Sequence, residues 1–201
     1  MALHALALFA ALCAAPAPRD VKLNLFQGPD GSVSPVLDFT DAEGLHRVSF
    51  VSSSRKEDRR NRTLDITHEV QATADAPWKQ VWTAKDFVKG CDFDLTLRVL
   101  ERSISVTDLN GDGKAEVSFM YAAGCRSDVS PLTLKLLMYD GATKYALRGG
   151  TLERVGTDAK GKPEMVGGDF TADKAFDSAP KEFLPYAKAQ WAKFRVVPEA
   201  P

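Results

Sequence analysis

Most of the chain is patterned at a period of two. Leu64, Ile66, His68 and Val70 alternate with Asp65, Thr67, Glu69 and Gln71, and Leu132, Leu134, Leu136 and Met138 mark one face of a second run. Such alternation predicts half-buried β-strands. Shorter runs of the same kind fall at 21–27, 36–39, 45–51, 94–100, 103–107, 115–121, 144–148 and 151–155, separated by turn formers such as Asp41-Ala42-Glu43-Gly44 and Asp140-Gly141. Trp78 to Trp82 reads as a strand with both tryptophans on one side, residues 83–89 as a helical turn, and the Gly- and Lys-rich segment 156–170 as a mobile loop. Only near the C-terminus does the period change. Phe183, Tyr186, Ala187, Gln190, Trp191 and Phe194 follow helical spacing, a mostly apolar stripe that should pack on a sheet. Ser178 can cap this helix, expected at about 179–194, and Pro185 should kink or split it. The fold class expected is α+β, mainly antiparallel: a curled sheet or sandwich with a C-terminal helix packed on it.

Within that frame, the 201 residues suit an export signal at 1–17 followed by one domain over 18–201. Residues 1–15 are nearly all Ala, Leu and Phe, too short an apolar run to span a bilayer. Leu12 precedes Cys13 where a lipoprotein would need a small residue. A periplasmic or extracellular location follows, with no transmembrane segment. Charge adds little: 26 basic residues against 27 acidic leave a net −1, so no global field recruits nucleic acid or an anionic membrane. The charged run 55–62 lacks interleaved aromatics, which further disfavours nucleic acid.

Export makes Cys91 and Cys125, 34 positions apart, a candidate disulfide; two buried free thiols are the alternative. The closed segment contains the most informative stretch, Asp108-Leu109-Asn110-Gly111-Asp112-Gly113-Lys114-Ala115-Glu116. Asp108, Asn110, Asp112 and Glu116 stand at relative positions 1, 3, 5 and 9. That spacing lets one tight loop supply several of the six to eight oxygens that calcium takes. Lys114 would add its backbone carbonyl, and Gly113 permits the φ > 0 turn. Position 12 is Phe119 and both flanks read as strands, so the stretch is not an EF-hand. It resembles the calcium loops of FG-GAP and integrin-propeller blades, with Glu116 where those usually carry Asp. A metal-free, Asx-rich hairpin turn is the alternative reading of the same residues. The hairpin at 36–51 echoes this one with Phe39 and Arg47 in place of Asp108 and Glu116, and should be metal-free.

After Cys125, the polar segment Arg126-Ser127-Asp128-Val129-Ser130-Pro131 offers Arg126 and Asp128 as a possible binding patch, or else a local ion pair and cap. The histidines of the mature chain are His46 and His68 only, too few for a zinc site, and His68 should sit on an apolar face. No nucleophile elbow, phosphate-binding glycine loop or His-Glu-x-x-His is present. Taken in order, 85–91, 106–117, 125–131, 134–136 and 144–149 resemble a family of small exported bacterial proteins labelled "surface polysaccharide biosynthesis". That resemblance implies an envelope setting and the cysteine pair, and transfers no mechanism. The expected function is an envelope-associated, calcium-stabilised, non-catalytic module that binds a glycan or a protein. The alternative is a carboxylate-dependent, glycan-processing hydrolase.

Overall fold

The computed structural model describes residues 17–27, 33–55 and 58–197; the expected export segment lies outside them except for Ala17. The chain begins as an antiparallel meander. Strands β1 (Arg19–Gln27), β2 (Val33–Asp41), β3 (Gly44–Arg55), β4 (Asp58–Gln71) and β5 (Lys79–Val88) pair in sequence order into one five-stranded sheet. A second sheet is built from β6 (Asp94–Val99), β7 (Ser105–Thr107), β8 (Glu116–Arg126), β9 (Thr133–Asp140), β10 (Thr143–Gly150) and β13 (Phe170–Ala172). Its order is β13-β10-β9-β8-β6, with β7 also pairing β8. Between β10 and β13 the chain forms a separate hairpin of β11 (Leu152–Thr157) and β12 (Pro163–Gly167). Helix α1 (Phe183–Phe194) follows. The α+β, mainly antiparallel architecture is therefore the one that the alternation implied.

Three layers result. Phe39, Val48, Phe50, Leu64, Ile66 and Trp82 of the first sheet meet Leu97, Val117, Phe119, Leu137 and Tyr139 of the second in one core. On the far face of the second sheet, Met120, Leu134, Leu136 and Leu147 pack on Phe183, Ala187 and Trp191 of α1 in another. Strand β8 is thus buried on both faces over its first eight residues. Its sequence alternates, yet the "outer" residues Ser118 and Met120 are as buried as the inner ones because the helix covers them.

Several local expectations are corrected. Residues 83–88 continue β5 rather than forming a helical turn, since register with β4 runs unbroken from Arg62–Val88 to His68–Trp82. A bulge then opens, with Glu69 facing Gln80 and Val81 left over. One extra residue flips the side-chain alternation, so Trp82 enters the core while Trp78 lies against the guanidinium of Arg47, 5.2 Å from its ring. Much of the segment 156–170 is structured, holding the end of β11 and all of β12. Helix α1 starts at Phe183, later than Ser178 would cap; Ser178 closes a preceding 3₁₀ turn at Lys174–Ser178. Pro185 neither kinks nor splits the helix. It falls in the first turn, where a backbone N–H has no intrahelical acceptor to lose.

Candidate functional site

The loop from Asp108 to Ala115 joins β7 to β8 and closes on its own backbone. The Asp108 carboxylate accepts the N–H of Asp112 and of Gly113, each at 3.1 Å. Asn110 Oδ1 also accepts from Asp112 N–H (3.1 Å), and Asp112 Oδ1 from Lys114 N–H (2.8 Å). Asn110 Nδ2 donates to Asp112 Oδ2 at 3.2 Å. Gly111 and Gly113 take φ of +73° and +84°, the left-handed backbone that lets so short a segment reverse twice. The side chains at relative positions 1, 3 and 5 therefore point into the loop, as their spacing suggested.

Glu116 lies at the base of this loop and is only 1 % exposed. Its Oε2 accepts from Leu109 N–H (2.8 Å) and the Thr107 hydroxyl (3.0 Å). Its Oε1 is buried without a partner. Burial pushes this carboxyl above its ordinary pKa despite those two donors, and Asp140 contributes in the same direction. Asp140, opposite Glu116 in the β8–β9 ladder, is itself raised by burial and by the Asp112 carboxylate. Negative charge is thus concentrated here with too few donors to satisfy it.

Oxygen chemistry of this kind suits a hard dication: carboxylates and an amide carbonyl retain lone pairs beyond those given to single N–H donors. In the arrangement seen, no three His, Cys, Asp or Glu side chains converge on a metal-sized point among the described residues. Asp108, Asp112 and Glu116 are instead occupied with the loop's own donors, the geometry of an Asx-rich turn.

The first hairpin, read as a distant echo of this one, docks against it. Ala42 N–H donates to the Gly113 carbonyl (3.0 Å), Ala115 N–H to Asp41 Oδ2 (2.8 Å), and Lys114 Nζ pairs with Glu43 Oε1 (2.6 Å). From Asp41 a polar chain enters the core. Its Oδ1 accepts from Glu43 N–H and lies 2.7 Å from His46 Nε2, while His46 Nδ1 lies 2.9 Å from His68 Nε2. Both imidazoles are buried, and Phe39 stacks on His46 at 4.6 Å. Burial would raise the pKa of Asp41, but the hydrogen bonds from His46, Ala115 and Glu43 outweigh it and hold the carboxyl low. His68 is lowered to about 4, first by burial and then by the charge of His46. His68 Nδ1 and the nearby Trp82 Nε1 have no partner. The apolar-face placement of His68 was legible in the alternation; the partnership with His46 was not, although His46 shares its face of β3 with Val48 and Phe50.

The chain matches no protein-family profile, curated protein or solved structure.

Cys91 and Cys125 are bonded, with Cα atoms 5.5 Å apart. Beyond them, Arg126 donates to the Ser130 carbonyl and pairs with Glu153 at 3.1 Å. Asp128 accepts from the hydroxyl and N–H of Ser130, which hold its carboxyl low. Both residues of the expected patch thus also brace its backbone. Sequence reasoning missed a second polar group between the sheets, where Asp86 Oδ2 accepts from the Tyr121 hydroxyl (2.9 Å) and Lys135 Nζ (2.5 Å). Each faces the inter-sheet core, but alternation does not mark the two charged ones: residues 83–89 read as a helical turn, and the apolar face Leu132–Met138 leaves Lys135 on the polar side.

Proposed function

We propose that this protein is an exported, envelope-associated binding module, non-catalytic and braced by one calcium ion, whose partner is a glycan or a protein. What supports it best is the end of the second sheet around the disulfide. There Asp94 pairs in register with Arg126, the Cys91–Cys125 bond ties the segment leading into β6 to β8, and the backbone of the loop after β8 is held by Arg126 and Asp128. On that braced frame Phe93 is 64 % and Val129 53 % exposed. Exposed apolar side chains beside fixed polar groups are the usual means of gripping sugar rings or a protein surface, and rigidity lowers the ordering cost of binding. The resemblance to exported proteins labelled "surface polysaccharide biosynthesis" points to the same setting.

The calcium part of the proposal rests on the unpartnered Oε1 of Glu116 at the base of the loop. Asp108, Asn110, Asp112 and Glu116 would hold the ion with side-chain oxygens and Lys114 with its carbonyl. Extracellular-type sites bind at about 10⁻⁴–10⁻³ M, so millimolar calcium is the proper test. Calcium should raise the melting temperature, and Asp108→Ala combined with Asp112→Ala should abolish the rise. Identical melting curves in calcium and in chelator remove the ion. For the binding role, a glycan array should be run beside a turnover assay on cell-wall material. Binding without product is expected; product formation would replace the module by a hydrolase.

A further inference from the structure

Strand β1 is exposed at all nine positions from Arg19 to Gln27. It forms an edge of the first sheet and pairs with β2 alone. Leu23 stands opposite Leu37, itself 2 % exposed, and Leu25 opposite the buried Pro35. Both leucines therefore lie on the sheet face that builds the inter-sheet core. The second sheet does not cover them: Leu23 is 40 % and Leu25 59 % exposed. Phe26, which alternates onto the other face with Lys22 and Asn24, is 57 % exposed.

An unpaired strand edge turns backbone N–H and C=O groups outward and invites another strand, and folded proteins blunt such edges with charge, proline, bulges or shortness. The other sheet edges among the described residues follow that rule. Strands β7 and β13 have three residues each, β6 carries Asp94 and Arg98, β5 carries Lys79, Lys85 and Asp86, and both strands of the β11–β12 hairpin are charged. In β1 the protection stops halfway. A bulge and the charges of Arg19, Asp20 and Lys22 guard its first half, whereas Leu23-Asn24-Leu25-Phe26-Gln27 has no charge, proline or bulge. That asymmetry selects the partner. Two copies of β1 running antiparallel about a twofold axis at Asn24 set the charged half of each against the uncharged half of the other. Leu23 then faces Leu25 of the second copy, and Lys22 faces its Phe26, a cation beside an aromatic ring. No like charges are opposed, whereas parallel pairing in register would set Lys22 against Lys22. We infer that β1 is a homodimerisation strand: two copies of this chain join edge to edge in this register, and their five-stranded sheets become one continuous sheet. The surface shares no residue with the loop at 108–116 or the surface beside the disulfide, so the two proposals stand or fall separately.

Sedimentation equilibrium of the full chain tests this, at up to about 100 μM because a single strand pair is a small interface. A monomer–dimer equilibrium is expected. Leu23→Lys with Leu25→Lys, and separately Leu23→Glu with Leu25→Glu, should each weaken dimerisation at least about tenfold by opposing like charges. Both positions are exposed, so both variants should keep the wild-type circular dichroism spectrum. Mixing the two variants should restore a heterodimer, which a general loss of structure could not do. In the otherwise native chain, Asn24→Cys should cross-link to a second copy on mild oxidation and Gln27→Cys should not, since only position 24 faces itself across the axis. A monomer throughout that concentration range would overturn the inference. So would dimers unaffected by either charged pair, no heterodimer on mixing, or cross-linking at position 27 rather than 24.

Discussion

Two buried titratable residues, His68 and Glu116, pull stability in opposite directions as pH changes. His68 has its pKa lowered to about 4 by burial, with the His46 charge adding to it. Its unfolded value is the ordinary 6.5, so between these two pH values the unfolded chain binds the proton more readily, and stability falls with acidification. A difference of that size is worth roughly 3 kcal/mol. Denaturant unfolding at pH 7 and pH 4.5 should show most of it, and His68→Leu should flatten that segment of the profile; an unchanged profile would assign the acid sensitivity elsewhere. Glu116 works in the opposite sense. Its folded pKa is raised above the ordinary 4.5 by burial, so without calcium its contribution is best below that value and declines as pH rises through the folded pKa. Glu116→Gln should remove that decline in chelator and should also remove any stabilisation by calcium. If the variant instead keeps the wild-type pH profile in chelator, the buried carboxyl is not what titrates.

At the scale of elements, alternation carried the strands and helical spacing carried α1, because both periods come from side chains that one core must collect on one side. What alternation left unseen came from contacts distant in sequence. The bulge at Val81 that separates Trp78 from Trp82 is a register event between β4 and β5, and nothing within 78–88 announces it. The double burial of β8 depends on a helix about sixty residues later in the chain. The nine-residue loop was legible because its ligand-type residues and glycines are local, whereas the Asp41–His46–His68 chain that meets it needed three strands in register. Pro185 shows the same distinction in a single residue: the proline was visible, but its harmlessness followed only from where the helix starts. Pro185→Ala should therefore shift stability by less than about 1 kcal/mol, since no hydrogen bond is regained in the first turn. Proline at Ala187, buried and two residues further on, past the first turn, should cost about 3 kcal/mol or more. Chemical denaturation of the two variants separates these outcomes, and equal costs would contradict the assigned helix start.

For the molecule as a whole, the point of interest is that the two sheets are joined by hydrogen bonds as well as by their shared core. The turn Asp41–Gly44 of the first sheet and the loop 108–115 of the second are locked at Ala42–Gly113 and Asp41–Ala115. Asp41 also anchors His46. One carboxylate therefore spans loop, turn and core. Ala115 stands between Lys114 and Glu116, the last two oxygen donors of the proposed calcium site, so the bond from its N–H to Asp41 sets where they sit. Asp41→Ala would leave the Ala115 N–H and the His46 ring without their buried acceptor, a loss of about 2–3 kcal/mol. It should also weaken calcium roughly tenfold, although Asp41 is not a ligand, because the loop would have to be ordered by the ion alone. Asp41→Asn keeps an acceptor for one of the two donors and should fall between. Denaturant unfolding and calcium titration of both variants give the two numbers independently. A calcium affinity untouched by Asp41→Ala, alongside the expected loss of stability, would mean that the loop holds its shape without the first sheet.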